Sequence, residues 1–356
     1  MKILVTGSAG FIGFHLACAL LEIGHEVVGI DNINNYYDPA LKFARLNESG
    51  ILEEEVLWHR EARSHKYPKY RFVRMNIENK GELMSLSARE NFEVVIHLAA
   101  QAGVRYSIQN PDAYAQSNLV SFLNILEICR HNPVKHLVYA SSSSVYGLNE
   151  KMPFSVQDNV DHPVSLYAAS KKANELMAHT YSHLYRIPTS GLRFFTVYGP
   201  WGRPDMAYFL FTKAISDNKP IQVFNYGKMK RDFTYIDDIV NGIINVMQKP
   251  AEPDNSWNGK SPNPSRSTAP YRIFNIGNNN PVELISFIKE IEKGMKKNAL
   301  MEMKDTQPGD VEATWANIDE LIESFNYNPS TSIQCGISKF VLWYKEHYEV
   351  QERSAV

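Results

Sequence analysis

Short apolar runs alternate with amphipathic stretches over the first part of the chain. The run Lys2–Thr6 is typical of a buried parallel strand, and from Phe11 to Leu21 the apolar residues recur at helical spacing. The same patterns predict strands over residues 25–30, 71–76, 93–100, 136–142 and 189–195 and helices over residues 39–47, 112–131 and 166–186. Strands that alternate with helices predict an α/β fold with a doubly wound parallel sheet.

The rhythm changes after Gly199. Short strands over residues 221–224 and 272–276 mix with helices over residues 207–216, 236–248, 282–297, 318–325 and 332–348. We therefore expect one domain over residues 1–199 and a smaller α/β lobe mainly over residues 200–356, with some chain exchange between them. Within that lobe, Asn280-Pro281-Val282-Glu283 has the residues of a helix start, and the Pro-, Ser- and Asn-rich residues 250–270 predict a mobile surface loop.

A glycine-rich heptad stands where the first strand gives way to the first helix: Gly7-Ser8-Ala9-Gly10-Phe11-Ile12-Gly13. Glycines at this place allow a tight turn, a side-chain-free approach to a pyrophosphate and close packing of helix on strand. Asp31 ends the second strand twenty-one residues after Gly10, where its carboxylate can accept both hydroxyls of a ribose. Strand, heptad, helix, strand and acidic residue together predict a site for the dinucleotide NAD.

Tyr167 and Lys171 lie four residues apart at the start of a predicted helix, so that both side chains share one face. A nearby ammonium stabilises a phenolate, so Lys171 would lower the pKa of Tyr167 and make it a usable base. The spacing alone is common and also fits an exposed pair of side chains. Ser142 favours the catalytic interpretation, because it ends the preceding strand at the edge where doubly wound sheets bind ligands.

Composition argues against several other partners. The chain has 37 Lys and Arg against 39 Asp and Glu, a formal charge of −2, so we expect no nucleic-acid partner. No apolar run is long enough to span a membrane. Cys18, Cys129 and Cys335 are odd in number and predict reduced, buried thiols in a cytoplasmic protein. His179 and His183 have the spacing of metal ligands but no third ligand, so no metal is implied.

The order of these motifs resembles the extended short-chain dehydrogenase/reductase family, in its nucleotide-sugar branch. The resemblance runs from Thr6-Gly7 through Ser142, Tyr167 and Lys171 to residues 230–238 and covers most of the chain. It implies a Rossmann-type fold with a smaller substrate-binding lobe and NAD as the cofactor. It also implies that Tyr167 is the base, Lys171 its electrostatic partner and Ser142 the hydroxyl that hydrogen-bonds the sugar O4.

The resemblance assigns the binding residues as well. Those implied for NAD are Gly7, Gly10, Phe11, Ile12, Gly13, Asp31, Asn32, Asn76, Ile77, Leu98, Ala99, Ala100, Tyr167 and Lys171. Those implied for a UDP-sugar are Ser142, Ser143, Ser144, Thr196, Arg203, Arg231 and Asp310. Arg231 would contact the diphosphate and Asp310 the uridine ribose. Asn76 departs from the family, which usually has Asp at this position next to adenine.

Ser143 and Ser144 distinguish the reactions of this branch. Its dehydratases have an Asp-Glu pair at these positions and UDP-glucuronate decarboxylases have Ser-Glu, whereas Ser144 has no carboxyl group. The reaction that remains is epimerisation: oxidation, rotation of the keto-sugar and return of the hydride. Residues 31–38, 101–107 and 195–206 look like those of UDP-glucuronate 4-epimerases, which implies interconversion of UDP-glucuronate and UDP-galacturonate through a 4-keto intermediate.

The carboxylate of such a substrate poses a chemical problem. Oxidation at C4 makes a β-keto acid, which loses carbon dioxide when the bond to its carboxylate aligns with the carbonyl π system. An epimerase must hold the carboxylate out of that alignment, and the hydroxyls of Ser143, Ser144 and Thr196 and the charge of Arg203 are the candidates.

Two alternatives remain open. One is a 4-epimerase of neutral or N-acetylated UDP-hexoses such as UDP-glucose and UDP-N-acetylglucosamine. The other is a non-catalytic NAD-binding regulator, although such proteins usually lack the tyrosine and the lysine. The family uses the helices over residues 112–131 and 166–186 for a homodimer contact, and its products supply polysaccharide precursors.

Overall fold

The computed structural model describes residues 1–305 and 313–349. Its strands are β1 (Lys2–Thr6), β2 (Glu26–Asp31), β3 (Glu61–Arg63), β4 (Tyr70–Arg74), β5 (Val94–His97), β6 (His136–Ser142), β7 (Thr189–Phe194), β8 (Thr196–Tyr198), β9 (Pro220–Phe224), β10 (Lys230–Tyr235), β11 (Tyr271–Ile276), β12 (Pro281–Glu283), β13 (Leu300–Lys304) and β14 (Ala313–Thr314). Its helices are α1 (Phe11–Glu22), α2 (Ala40–Glu48), α3 (Lys80–Glu90), α4 (Tyr106–Gln109), α5 (Pro111–Tyr114), α6 (Ser121–His131), α7 (Leu166–Tyr185), α8 (Ala207–Ser216), α9 (Ile236–Gln248), α10 (Leu284–Met295), α11 (Asp319–Phe325) and α12 (Ile333–Tyr344).

Eight strands of the described residues form one sheet, in the order β11-β7-β6-β5-β1-β2-β4-β3, which we call the large sheet. Every neighbouring pair is parallel except β3 with β4. The strand order runs outward in both directions from β1, so β1 and β5 flank the point where it reverses. The loops that follow these two strands therefore border a crevice at the carboxyl edge of the sheet.

Helices cover both faces of the large sheet. Ile3 and Val5 of β1 pack in an apolar cluster with α1 and α9, whereas Leu4 packs in a second cluster with α3, α6 and α7. Because successive side chains of a strand point to opposite faces, β1 is buried on both sides. The predicted doubly wound parallel sheet is confirmed.

A smaller group of strands surrounds β10. That strand pairs with β12, β14 and β8, while β13 pairs with β9 in a separate two-stranded ladder. Two elements that follow residue 199 join the large sheet instead: β11 pairs with β7, and α9 packs against α1 and β6. The large sheet and the smaller group of strands around β10 are therefore each built from residues on both sides of position 199.

The helix start predicted at Asn280-Pro281-Val282-Glu283 is wrong. Pro281–Glu283 forms β12, antiparallel to β10, and α10 begins only at Leu284. The reason is the buried carboxylate of Asp232, which accepts the backbone N–H groups of Asn278 (2.8 Å) and Asn279 (3.0 Å). These bonds turn the chain so that the next residues lie alongside β10.

The helix predicted over residues 112–131 is present and runs without a break through α5, a π-helical stretch over Ala115–Val120 and α6. Two other expectations need correction. The loop over residues 250–270 borders the large sheet rather than the smaller lobe, because Ser267 hydrogen-bonds His179 of α7 at 2.9 Å and residue 271 begins β11. The thiol of Cys335 is exposed, whereas Cys129 is buried and Cys18 half-buried.

Candidate active site

The turn between β1 and α1 has a shape that only glycine permits. Gly7 has φ +71°, and a Cβ atom there would lie 2.9 Å from the backbone nitrogen of Ala99. A Cβ atom at Gly13 would lie 2.1 Å from the carbonyl oxygen of Gly7, to which Gly10 also donates its N–H at 2.9 Å. The turn therefore packs tightly against the loop after β5 and leaves the N-terminus of α1 facing the crevice.

Thr6 ties the two loops together. Its Oγ1 accepts the backbone N–H groups of Leu98 (3.2 Å) and Ala99 (3.1 Å) and lies 2.8 Å from Nδ1 of His97. Burial lowers the pKa of His97 to about 3, so the imidazole is neutral, and its Nδ1 shares a hydrogen bond with the threonine hydroxyl. Leu98, Ala99 and Ala100 are thus held beside the glycine turn.

Asp31 closes the other end of this turn. Its Oδ2 accepts the N–H of Ala9 at 3.3 Å and its Oδ1 accepts the N–H of Ile33 at 2.8 Å. Asn32 donates from Nδ2 to Oδ1 of Asn76 at 3.1 Å. Asp31 and Asn32 both line the crevice, where a carboxylate and an amide suit the hydroxyls of a ribose.

The proposed catalytic groups meet on the opposite side. Ser165 caps α7 by accepting the N–H of Ala168 at 3.1 Å, which starts the helix just before Tyr167. The side chain of Tyr167 hydrogen-bonds Ser142 at the end of β6. Lys171 donates from Nζ to the carbonyl oxygen of Ala140 at 2.9 Å. All three side chains line the same crevice as the glycine turn.

Burial, Ser142 and Arg203 set the pKa of Tyr167 in this structure. Burial raises the pKa of Tyr167, while the hydrogen bond from Ser142 and the charge of Arg203 act to lower it. Burial also lowers the pKa of Lys171 to about 8. Lys171 keeps its charge and two further N–H groups while it donates to the carbonyl of Ala140, and its role as the electrostatic partner of Tyr167 stays a prediction.

The crevice is a cleft of about 280 Å³ that opens to solvent. It brings together most of the residues predicted from the sequence: Gly7, Gly10, Phe11, Ile12, Gly13, Asp31, Asn32, Ile77, Leu98, Ala99, Ala100, Ser142, Tyr167, Lys171 and Arg203. Its open shape and glycine-lined end suit an extended ligand such as a dinucleotide.

The other predicted residues that the structure describes do not line the cleft. Ser144 donates its backbone N–H to Oγ of Ser142 at 3.2 Å, and Ser143 begins the same short turn. Thr196 starts β8 between the lining residues Phe195 and Val197. Asn76 lies behind Asn32. Arg231 lies on β10, outside the lining, and Asp310 lies outside the described residues.

Lys42 lines the cleft and was missed by sequence reasoning. Tyr36, Tyr37, Gln101 and Met206 also face the cleft; they lie in stretches that the resemblance singled out without giving these residues a role. A signal for Tyr36 lies in the repeated asparagines that precede it, which form local side-chain turns: the N–H of Asn34 donates to Asn32 at 3.1 Å, and that of Tyr36 to Asn34 at 3.3 Å.

Asn118, in the π-helical stretch, was also missed. It is buried, accepts the N–H of Gln101 at 2.8 Å and donates to the carbonyl of Gln101 (3.1 Å) and to Ser170 (3.0 Å). It therefore holds the loop after β5 against α7. A buried asparagine within an apolar helix pattern was the available signal.

A second segment of the cleft wall, Pro200–Asp205, is anchored by distant side chains. The buried guanidinium of Arg45 donates to the carbonyl oxygens of Trp201 (2.7 Å), Gly202 (3.4 Å) and Ala9 (3.0 Å). His15 donates from Nε2 to the carbonyl of Pro200 at 3.0 Å. These contacts fix the backbone just before Arg203 to the glycine turn and to α1.

The geometry of the cleft fits NAD independently of any similarity to known proteins. The turn has no room for a Cβ atom, a helix N-terminus faces the cleft for the pyrophosphate, and Asp31 stands where a ribose would bind. A family model agrees: the NAD dependent epimerase/dehydratase family matches residues 3–277.

The chain belongs to this family.

Relatives extend the match over the full length. The chain is 54% identical to Protein CapI of Staphylococcus aureus over 98% of this chain and 100% of that protein. It is 46% identical to UDP-glucuronate 4-epimerase 4 of Arabidopsis thaliana over 100% of this chain and 78% of that protein. The crystal structure of UDP-glucuronic acid 4-epimerase from Bacillus cereus with UDP-glucuronic acid and NAD superposes with a TM-score of 0.83, at 31% identity, over 98% of this chain and 100% of that one.

Membership of an NAD-dependent family makes NAD the cofactor of this cleft. When bound, NAD supplies the acceptor and donor for a hydride. No helix within residues 1–305 and 313–349 combines the length and apolar character of a membrane span. In the same part of the chain, no three His, Cys, Asp or Glu side chains are grouped as metal ligands.

Proposed function

We propose that this protein interconverts UDP-glucuronate and UDP-galacturonate by NAD-dependent epimerisation at C4. The observation that carries the proposal is the position of Arg203 in the wall of the cleft that holds Ser142 and Tyr167. A guanidinium beside the base suits an acidic sugar. The relatives named above, one of them with UDP-glucuronic acid and NAD bound, support the same substrate.

Tyr167 takes the proton of the sugar O4, and Ser142, hydrogen-bonded to it, positions or relays that proton. The C4–H bond breaks with its electron pair leaving as hydride, and a C4=O bond forms. Lys171, fixed by Ala140, would hold the nicotinamide ribose. The keto-sugar then turns over in the cleft, C4 regains a hydride on its other face, and Tyr167 returns the proton to O4.

We propose that the cleft also protects the keto acid from decarboxylation. Ser144 offers a hydroxyl where a decarboxylase of this branch has a carboxylic acid, so no acid stands ready to protonate an enol at this position. Arg203, with Ser143 and Thr196 at the ends of neighbouring elements, would keep the substrate carboxylate out of alignment with the C4 carbonyl.

For the nucleotide, we assign the diphosphate to Arg231 and the uridine ribose to Asp310, and the adenine side of NAD to Asn76 and Ile77. Residues 1–199 would then form the NAD-binding domain and residues 200–356 mainly the UDP-sugar lobe. The free thiols also favour a reducing, cytoplasmic compartment.

The test is proton NMR of purified protein incubated with UDP-glucuronate and no added cofactor. We expect UDP-galacturonate from the wild type, and a fall in rate of about a thousandfold for Tyr167→Phe, which keeps the ring but removes the proton acceptor. UDP-xylose as the product would contradict the proposal. So would turnover of UDP-glucose or UDP-N-acetylglucosamine with UDP-glucuronate left unchanged.

We also propose a homodimer through α6 and α7. These helices pack side by side, and Leu176 and Leu184 on α7 are 58% and 60% exposed, with Leu123 on α6 also exposed. An apolar surface of this kind is typical of an interface. Light scattering should give twice the chain mass of 40.6 kDa for the wild type and the single mass for Leu176→Glu combined with Leu184→Glu. A monomeric wild type would contradict the proposal.

A further inference from the structure

Arg203 is already paired within the protein. Its Nε donates to Oδ1 of Asp205 at 3.0 Å and its Nη2 donates to Oδ2 of the same carboxylate. Tyr36, which also lines the cleft, donates from its hydroxyl to Oδ2 of Asp205 at 3.1 Å. Arg203 and Asp205 keep 26% and 27% of their side chains exposed, so the pair lies at the surface of the cleft.

The charges of this trio are well defined. Hydrogen bonds and charge from Arg203, together with the bond from Tyr36, outweigh burial and lower the pKa of Asp205, so it is ionised. Burial, followed by the charge of Asp205, raises the pKa of Tyr36 to about 12, so its hydroxyl keeps the proton that it donates. Two negative charges would therefore meet on Arg203 whenever an acidic sugar enters the cleft.

The geometry decides which part of Arg203 is left for the substrate. A guanidinium has five N–H donors in a planar fork, and Asp205 occupies the edge formed by Nε and Nη2. The end formed by Nη1 and Nη2 is left to a second carboxylate. A substrate held there shares one positive charge with Asp205 and is bound more weakly than by an unshared guanidinium.

Weak binding is useful in this reaction. If the proposed function holds, the keto-sugar must rotate between the two hydride transfers, and its carboxylate must leave one contact and make another. An undivided ion pair would favour one orientation and slow the rotation. We propose that Asp205, held by Tyr36, divides the charge of Arg203 so that the grip on the substrate carboxylate can be released during rotation.

The experiment compares the wild type with Asp205→Asn, which keeps the shape of the side chain but removes its charge. Calorimetry on the NAD-containing protein should show UDP-glucuronate binding about tenfold more tightly in the variant. UDP-glucose, which has no carboxylate, should bind with unchanged affinity. Both kcat and KM for UDP-glucuronate should fall. A variant with a damaged fold would instead combine a lower kcat with a higher KM.

A double-mutant cycle guards against an indirect effect. In the Arg203→Gln background, Asp205→Asn should tighten UDP-glucuronate binding by a clearly smaller factor than it does in the wild type, because only the direct repulsion between the two carboxylates is then removed. If Asp205→Asn does not fold, Asp205→Ser removes the same charge with a smaller side chain and should give the same shifts.

Weaker or unchanged binding of UDP-glucuronate in the Asp205 variants would overturn the inference, as would equal shifts for both nucleotides. Failure of the proposed function is seen separately, in the wild type, as no conversion of UDP-glucuronate at all.

Discussion

The two walls of the cleft are built in different ways. The glycine turn, residues 7–13, is shaped by contacts within itself and with the adjacent loop: Gly13 packs on the carbonyl of Gly7, and Gly7 on Ala99. The segment Pro200–Asp205 is instead held by His15, Arg45 and Tyr36, side chains that are 156 to 185 residues away along the chain. The cofactor side is therefore shaped by close packing of backbone on backbone, whereas the substrate side depends on hydrogen bonds from side chains in distant parts of the chain.

The largest effect should come from a substitution in the glycine turn. In Gly13→Ala the new methyl group would meet the carbonyl of Gly7 at 2.1 Å, which forces the turn open. We expect the purified variant to retain less than about a hundredth of the wild-type NAD, measured by absorbance after denaturation.

Gly81→Ala is the matched control for that variant. Its Cβ would meet only the side chain of Asn79, at 3.8 Å, and it lies near the start of α3. It should keep all its NAD and, because alanine favours helix, be slightly more stable, by up to about 1 kcal/mol. Loss of NAD from both variants would mean that NAD binding does not depend on the steric fit of the glycine turn.

Removing the side chain that anchors Pro200–Asp205 should lower the free energy of unfolding and disorder the segment around Arg203. Arg45→Met removes the donors to Ala9, Trp201 and Gly202 from a buried position. With several carbonyls left without partners, the free energy of unfolding in urea should fall by about 4 kcal/mol. Arg45→Lys, which can satisfy part of this set, should lose roughly half as much, and equal stability of Met variant and wild type would contradict the anchoring.

Lowering the pH should also destabilise the segment Pro200–Asp205, but by a smaller free energy than Arg45→Met. Burial lowers the pKa of His15 to about 4, against 6.5 in an unfolded chain, so the unfolded state binds more protons between these values. The stability from His15 is therefore complete above pH 6.5 and is lost as pH falls towards 4, on the order of 3 kcal/mol in all.

His15→Gln isolates this contribution. Glutamine can still donate to the carbonyl of Pro200 but does not titrate, so the fall in unfolding free energy between pH 6.5 and pH 4 should be shallower than in the wild type. An identical pH dependence for the two proteins would show that His15 does not carry it.

The same contrast explains what the sequence could predict. The glycine turn and the Tyr167–Lys171 spacing are patterns within a few residues, so their placement on β1, α1 and α7 follows from local rules. β12 could not be predicted, because its pairing depends on Asp232, about fifty residues earlier. The pairing of Arg203 with Asp205 and Tyr36, and the bonds of Arg45, likewise depend on how the completed fold brings remote segments together.

The pKa of Tyr167 shows the same limit. Spacing alone pointed to Lys171 as its electrostatic partner, and the fold adds Arg203, thirty-six residues later, whose charge also acts to lower this pKa. A charge that acts through space is set by tertiary structure, and no local motif encodes it.

The most direct test of the proposed epimerisation follows the hydrogen at C4. The protein, without added cofactor, is incubated with UDP-glucuronate that carries deuterium at C4, in ordinary water, and the product is analysed by NMR and mass spectrometry. We expect UDP-galacturonate with the deuterium still at C4, because the hydride leaves and returns to the same carbon without exchange with water. A product that has exchanged its deuterium for solvent hydrogen would contradict it.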